Sequence, residues 1–266
     1  MSSELTKKII TAEDILQNPP PGVDLTIVGG QALIYWTLSY QQRYPDMFKP
    51  EIIGSTYDVD FVVQLKAACE ECRRHWGGTL HTPDSTDPTP ELGVLTFNDK
   101  DHQLRVDLLA SLFRFTKKEI LKHRNPIGKE GTEYEHLYVL SEWGVLLNRV
   151  FNTISHPKYH HPESLTQVHN AIRVYHCRLK WLLDDGDIAA AQSECNQLLS
   201  LAKMSRVGMR LFLDFGIDLM DAIPLNDERF EPVFVEKGLS STIEQIQGKR
   251  ARLQKDRAKR AAEKGG

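Results

Sequence analysis

Cysteine is scarce in this chain, and long apolar runs are missing. Four cysteines in 266 residues do not suggest the disulfide framework of a small secreted scaffold. The longest apolar stretches, such as Val59-Asp60-Phe61-Val62-Val63, fall far short of the ~20 residues that a membrane-spanning helix needs. The start of the sequence, Met1-Ser2-Ser3-Glu4, has no basic segment followed by an apolar stretch, the pattern of a secretory leader. No internal repeat recurs at a fixed period. Together these absences lead to the expectation of a cytoplasmic protein with reduced thiols and no membrane partner.

What is present is ordinary in amount and uneven in placement. Apolar residues make up 41% of the chain and charged residues 26%, enough for a core of normal size. The net charge of -3 hides an asymmetry. Residues 249–266 hold eight basic side chains against Asp256 and Glu263, a balance of +6, so residues 1–248 carry -9. An acidic body and a basic tail call for separate readings.

Periodicity and turn residues divide the chain further. Residues 3–18 read as a short helix with a cap near Thr11-Ala12-Glu13-Asp14, broken by Pro19-Pro20-Pro21-Gly22. Asp24-Leu25-Thr26-Ile27-Val28 reads as a strand ended by Gly29-Gly30. Gln31 to Gln42 then reads as an amphipathic helix. Tyr57 to Gln64 predicts a strand, 65–76 a helix closed by Gly77-Gly78, and 92–98 and 103–110 a pair of strands joined by a turn. From Ser141 the pattern becomes helical, near 141–154, 163–184, 187–202 and 205–222, until Pro224. The expected organisation is α+β: a mixed strand–helix domain over 1–125, a helical domain over 126–222, and a polar extension with the basic tail over 223–266.

Three aspartates stand out within that pattern. Side chains alternate across a strand, so Asp58 and Asp60 share a face while Val59 and Phe61 point into a core. The same alternation sets Asp107 against Val106 and Leu108. Burying a lone carboxylate is costly, and three that converge repel one another unless a cation lies between them. Hard cations such as Mg²⁺ or Mn²⁺ take oxygen ligands from carboxylates and substrate phosphates. Gly29-Gly30, between a strand and a helix, adds a place where backbone can approach a phosphate at a helix start.

The order of these pieces is strand, Gly-Gly, helix, Ser55-Thr56-Tyr57-Asp58-Val59-Asp60-Phe61, helix, then strand–turn–strand with Arg105-Val106-Asp107-Leu108-Leu109. In this order the sequence resembles the polymerase β-like nucleotidyltransferase superfamily, most closely the branch of AbiEii-type toxins and minimal nucleotidyltransferases. The matching stretches fall within residues 23–112. The resemblance implies a polymerase β-like core, a mixed sheet with flanking helices, followed by a helical domain. It implies Gly29, Gly30, Ser55 and Thr56 at the triphosphate, Asp58 and Asp60 as ligands to both metals, and Asp107 as a ligand to the catalytic metal. It also implies that a basic residue on the helix after the core faces the nucleotide, which points to Arg149 and its neighbour on the same face, Asn152. One position departs from the pattern. Gly54 stands four residues before Asp58, where many members carry Arg, which shifts the cationic role to Arg43, Lys49 or Arg149.

The remaining features read as structural. Phe212, Phe215, Ile217, Leu219 and Met220 are expected in the core. Cys69, Cys72 and His75 lie on a predicted helix, and no second ligand pair sits at a zinc spacing. His156, His160 and His161 flank Pro157 and Pro162 without a carboxylate pattern beside them. The tail is helix-capable and cationic. It either binds nucleic-acid phosphates or stays solvated, and its lack of aromatics argues against base stacking.

The expected function is therefore metal-dependent transfer of a nucleotidyl group from a nucleoside triphosphate to an acceptor. That acceptor is an RNA or tRNA 3′ end, a protein side chain or a small molecule. By resemblance, a toxin or phage-defence role with a cognate antitoxin follows. The alternative is a nucleotidyltransferase fold that has lost catalysis and serves as a binding or scaffold module, with nucleic-acid binding through the tail.

Overall fold

The computed structural model describes residues 11–48, 58–84, 89–98 and 103–265. Two compact units divide the chain. The first is Met1–Ser39 with Lys49–Asn148, and the second is Tyr40–Phe48 with Arg149–Gly266.

The first unit is built on a mixed sheet. Its opening helix, α1 (Ala12–Gln17), is fixed by a capping box in which the Thr11 hydroxyl accepts from the Asp14 amide while Asp14 accepts from the Thr11 amide. The strands are β1 (Leu25–Ile27), β2 (Asp58–Val63), β3 (Thr79–His81), β4 (Glu91–Asn98), β5 (Gln103–Leu109), β6 (Arg124–Pro126) and β7 (Leu137–Leu140). They lie in the order β3-β4-β5-β2-β1-β7-β6. The pairs β2–β5 and β1–β7 are parallel and the other neighbours antiparallel. Between the strands run α2 (Gly29–Gln41), α3 (Ala67–Trp76) and α4 (Lys117–Lys122).

One face of the central strands is apolar. Val59, Phe61, Val106, Leu108, Leu25, Ile27 and Leu95 are all buried. Helix α3 covers this face with Cys69, Cys72 and Trp76. The Trp76 ring stacks on Phe61 with centroids 5.8 Å apart. Burial pushes the Cys72 thiol up to about 12, so it is an inert apolar filler rather than a ligand or nucleophile. The second face of β2 and β5 carries the charged side chains.

The expected division at residue 125 does not coincide with the limits of this sheet. β6 begins at Arg124, and β7 lies beside β1 with Thr26 opposite Tyr138. At four residues, Leu137–Leu140 is too short to show an alternation of its own, and it runs into the helical pattern of α5 (Glu142–Ser155).

The second unit is helical, with α6 (Pro162–Asp184), α7 (Ile188–Lys203), α8 (Gly208–Phe215) and α9 (Ser240–Gly265). Val168, Tyr175, Leu179, Cys195 and Leu198 are buried in its interior. The expected helix over 205–222 is interrupted. Gly216 adopts a left-handed conformation, φ 70°, and stops α8. Asp218 then caps a separate 3₁₀ turn, Leu219–Ala222. The segment Tyr40–Phe48 belongs to this unit because Tyr44 donates to Asp184 at 2.6 Å and Arg43 pairs with the same carboxylate at 3.2 Å. Residues 223–266 are not merely a polar extension, since α9 packs on α7 and α8. Among the described residues no helix is long and apolar enough to cross a membrane.

Candidate functional site

The candidate site is the polar face of β2 and β5. In the parallel register Asp60 lies opposite Asp107 and Asp58 opposite Arg105. Residues opposite each other on neighbouring strands project to the same side, so three carboxylates and one guanidinium share this face. The alternation expected of β2 is met: Asp58 is exposed, Val59 buried, Asp60 intermediate and Phe61 buried. β5 follows the same pattern, with Val106 and Leu108 buried on either side of a half-buried Asp107.

Gly29 closes the site from β1. The Val28 amide donates to the Asp60 carbonyl at 3.0 Å, which fixes the end of β1 against Asp60. The backbone then turns through φ +62° at Gly29 and enters α2. A Cβ built on Gly29 would overlap Asp60 Oδ2 and lie 2.9 Å from its Cγ. Glycine is required here both for the backbone conformation and for the approach of the carboxylate. The positive end of the α2 dipole thus faces the acidic group, which is a favourable arrangement.

Arg105, which sequence reasoning left unassigned, is the cation of this face. Its Nε donates to Asp107 Oδ1 at 2.6 Å, and Nη2 lies 3.1 Å from Glu91 Oε1 on β4. The Asp107 hydrogen bond raises the Arg105 pKa above its usual value, with Glu91 and Asp58 adding to it. A signal was present in Arg105-Val106-Asp107, because residues two apart on a strand share a face. The contribution of Glu91 depends on the register of β4 on β5, and Glu91 lies one residue before the strand expected over 92–98.

The donor set fits a hard divalent cation in kind, since it consists of carboxylate oxygens from adjacent strands beside a helix start. Its side chains are arranged otherwise. Asp107 is engaged by Arg105, and among the described residues no group of three acidic, histidine or cysteine side chains is gathered as a metal site.

The other expected residues are distributed as follows. Gly30 follows Gly29 in the first turn of α2. Ser55, Thr56 and Gly54 lie outside the described residues, as does Lys49. Arg149 and Asn152 sit on α5 in the second unit, Arg149 buried and Asn152 half-buried. Arg43, the other proposed cation, is paired with Asp184. The histidines after α5 have structural partners. His160 Nε2 lies 2.8 Å from the Thr153 carbonyl, and His161 accepts from the Ser164 amide at the start of α6.

Comparison with protein-family models, with curated proteins and with solved structures finds no match for this chain.

Proposed function

We propose that the first unit is a nucleotidyltransferase core that transfers a nucleoside monophosphate from a triphosphate to a hydroxyl-bearing acceptor. The observation that carries this reading is the meeting of Asp60, opposite Asp107, with Gly29 at the start of α2. A carboxylate pair beside a close-approach glycine is suited to a metal-bound polyphosphate. The resemblance of Gly29-Gly30, Asp58-Val59-Asp60 and Val106-Asp107-Leu108 to the polymerase β-like superfamily supports it.

In this reading Asp58, Asp60 and Asp107 would hold Mg²⁺ or Mn²⁺, and Gly29 and Gly30 would receive the phosphates against their backbone. A bound divalent cation would supply charge neutralisation on the phosphate oxygens and a lowered pKa for the attacking hydroxyl. The acceptor oxygen forms a bond to the α-phosphorus, the α–β bridging bond breaks, and pyrophosphate leaves. Asp107 accepts the hydroxyl proton. Ser55 and Thr56 are proposed as further nucleotide contacts. An RNA or tRNA 3′ end, a protein side chain or a small molecule is the acceptor, and a toxin role with a cognate antitoxin belongs to the same reading.

A second reading is favoured by the Arg105–Asp107 pair. A fold in which an internal guanidinium has replaced the cation would be a catalytically inactive binding module. Incubation of the full chain with Mg²⁺, α-labelled triphosphates and cellular RNA or protein separates the two. Transfer of label that disappears in Asp60→Ala supports the enzyme. Identical behaviour of wild type and Asp60→Ala overturns it.

A further inference from the structure

The C-terminal helix turns Ile246 and Arg250 inward and leaves most of its basic side chains outside. At 3.6 residues per turn, Arg250 and Arg257 lie on one side of α9, and that side is committed to the second unit. Arg250 is buried, with Nη1 2.5 Å from Asp218 Oδ2, Nη2 2.8 Å from Asp218 Oδ1, and its guanidinium 4.0 Å over the Phe212 ring. Arg257 Nη1 pairs with Asp214 at 2.7 Å and also donates to the Leu213 carbonyl at 3.2 Å. Lys249 donates to Ser205 at 2.9 Å, and Lys203 reaches back to Gln245 at 3.1 Å. These contacts fix the rotation of α9 about its axis.

Fixing that rotation turns Arg252, Lys255 and Lys259 outward. They follow the i, i+3, i+7 spacing of a single helix face, roughly 140–200° around the axis from Arg250. All of them are exposed, as is Arg260, which lies beyond Asp256 and Glu263 around the helix. Among the described residues Arg252, Lys255 and Arg260 have no carboxylate within ion-pair distance, and Lys259 has only Glu263 at 3.9 Å. Asp256 and Glu263 border one edge of the stripe. The stripe spans ~10 Å along the helix, the axial length of about three successive phosphates of one duplex strand.

We propose that the outer face of α9, centred on Arg252, Lys255 and Lys259, binds the phosphate backbone of a nucleic acid without reading its sequence. The chemistry selects this partner over an anionic membrane. Interfacial helices bury a bulky apolar face, and after Leu253 the only apolar residues of α9 are Ala258, Ala261 and Ala262. The absence of aromatics from the helix leaves no platform for base stacking, so contact is electrostatic and tolerant of sequence. The surface is independent of the carboxylate site and needs neither metal nor triphosphate.

The test is fluorescence anisotropy of the full chain with a labelled RNA duplex and with labelled poly(U), over a range of salt concentrations. The stripe variant R252Q/K255Q/K259Q is compared with the charge-matched control K118Q/K122Q/K129Q, whose sites are exposed lysines of the first unit. Expected is a loss of at least tenfold in affinity at low salt for the stripe variant and less than twofold for the control. The slope of log affinity against log salt should fall by about 2 to 3 on loss of three phosphate contacts. Equal binding by wild type and the stripe variant overturns the proposal. So does wild type that binds phosphatidylserine vesicles but not RNA, or that retains neither. Circular dichroism of the variants checks that α9 remains helical.

Discussion

Asp60 packs its carboxylate directly against Gly29, leaving no room for even a methyl group at that position. The contact ties the end of β1 and the start of α2 to the strand that carries the acidic pair. Only glycine suits that position, both in backbone conformation and in space.

Gly29→Ala is expected to cost at least ~1 kcal/mol from the left-handed backbone alone, and more from collision with Asp60. In the Asp60→Ala background Oδ2 and Cγ are gone, so the same substitution should cost less. A double-mutant cycle by chemical denaturation should therefore show a coupling of ~1 kcal/mol or more. Additive penalties would mean that Asp60 does not occupy the place described.

The Arg105–Asp107 pair is half-exposed on its arginine side, and ion pairs of that kind contribute less than ~1 kcal/mol. Arg105→Gln should thus leave stability nearly unchanged. On the proposed function it should also release Asp107 and lower the Mn²⁺ half-saturation concentration severalfold, read by electron paramagnetic resonance. Weaker Mn²⁺ binding would assign Arg105 to holding the site together.

The β2 and β5 carboxylates were legible in the sequence because each stands out against its own period-two background. The Gly29-Gly30 junction was legible for a similar reason, since glycine marks the place where the period changes from two to 3.6. The charge of the site was less so. Arg105 is visible beside Asp107, but Glu91 joins it only through the β4–β5 register. The tail divides in the same way. A basic, helix-capable segment announces its helicity. That Arg250 and Arg257 are absorbed by Asp218 and Asp214 is a matter of packing between elements 32 and 43 residues apart. The excursion of Tyr40–Phe48 into the second unit rests in the same way on Tyr44 meeting Asp184, 140 residues later.

Arg250→Ala removes a buried guanidinium that makes a bidentate contact with Asp218, which also caps the 3₁₀ turn at Met220. Breaking one half of such a buried pair costs roughly 3–5 kcal/mol. The expected result is early unfolding of the second unit in urea and rapid proteolysis within α9. Full stability in this variant would show that α9 is not held by this pair.

His176 is half-buried on α6, and its pKa is lowered first by burial and then by Lys180. Its neutral form is therefore favoured in the folded state. Its contribution to stability is complete above the ordinary histidine value of ~6.5 and declines as pH falls below that value toward the lowered folded one. Thermal midpoints of wild type measured between pH 7.5 and 5 should fall more steeply than those of His176→Gln. Parallel profiles would remove His176 from the acid response.

Calorimetric titration of the full chain with a non-hydrolysable nucleoside triphosphate, with and without Mg²⁺, tests the central claim most directly. Saturable binding is expected only with Mg²⁺ present, and it should be lost in both Asp60→Asn and Asp107→Asn while those variants keep wild-type circular dichroism. Mg²⁺-independent binding, no binding at all, or undiminished binding by either variant would contradict a cation-dependent phosphate site on the Asp60–Asp107 face.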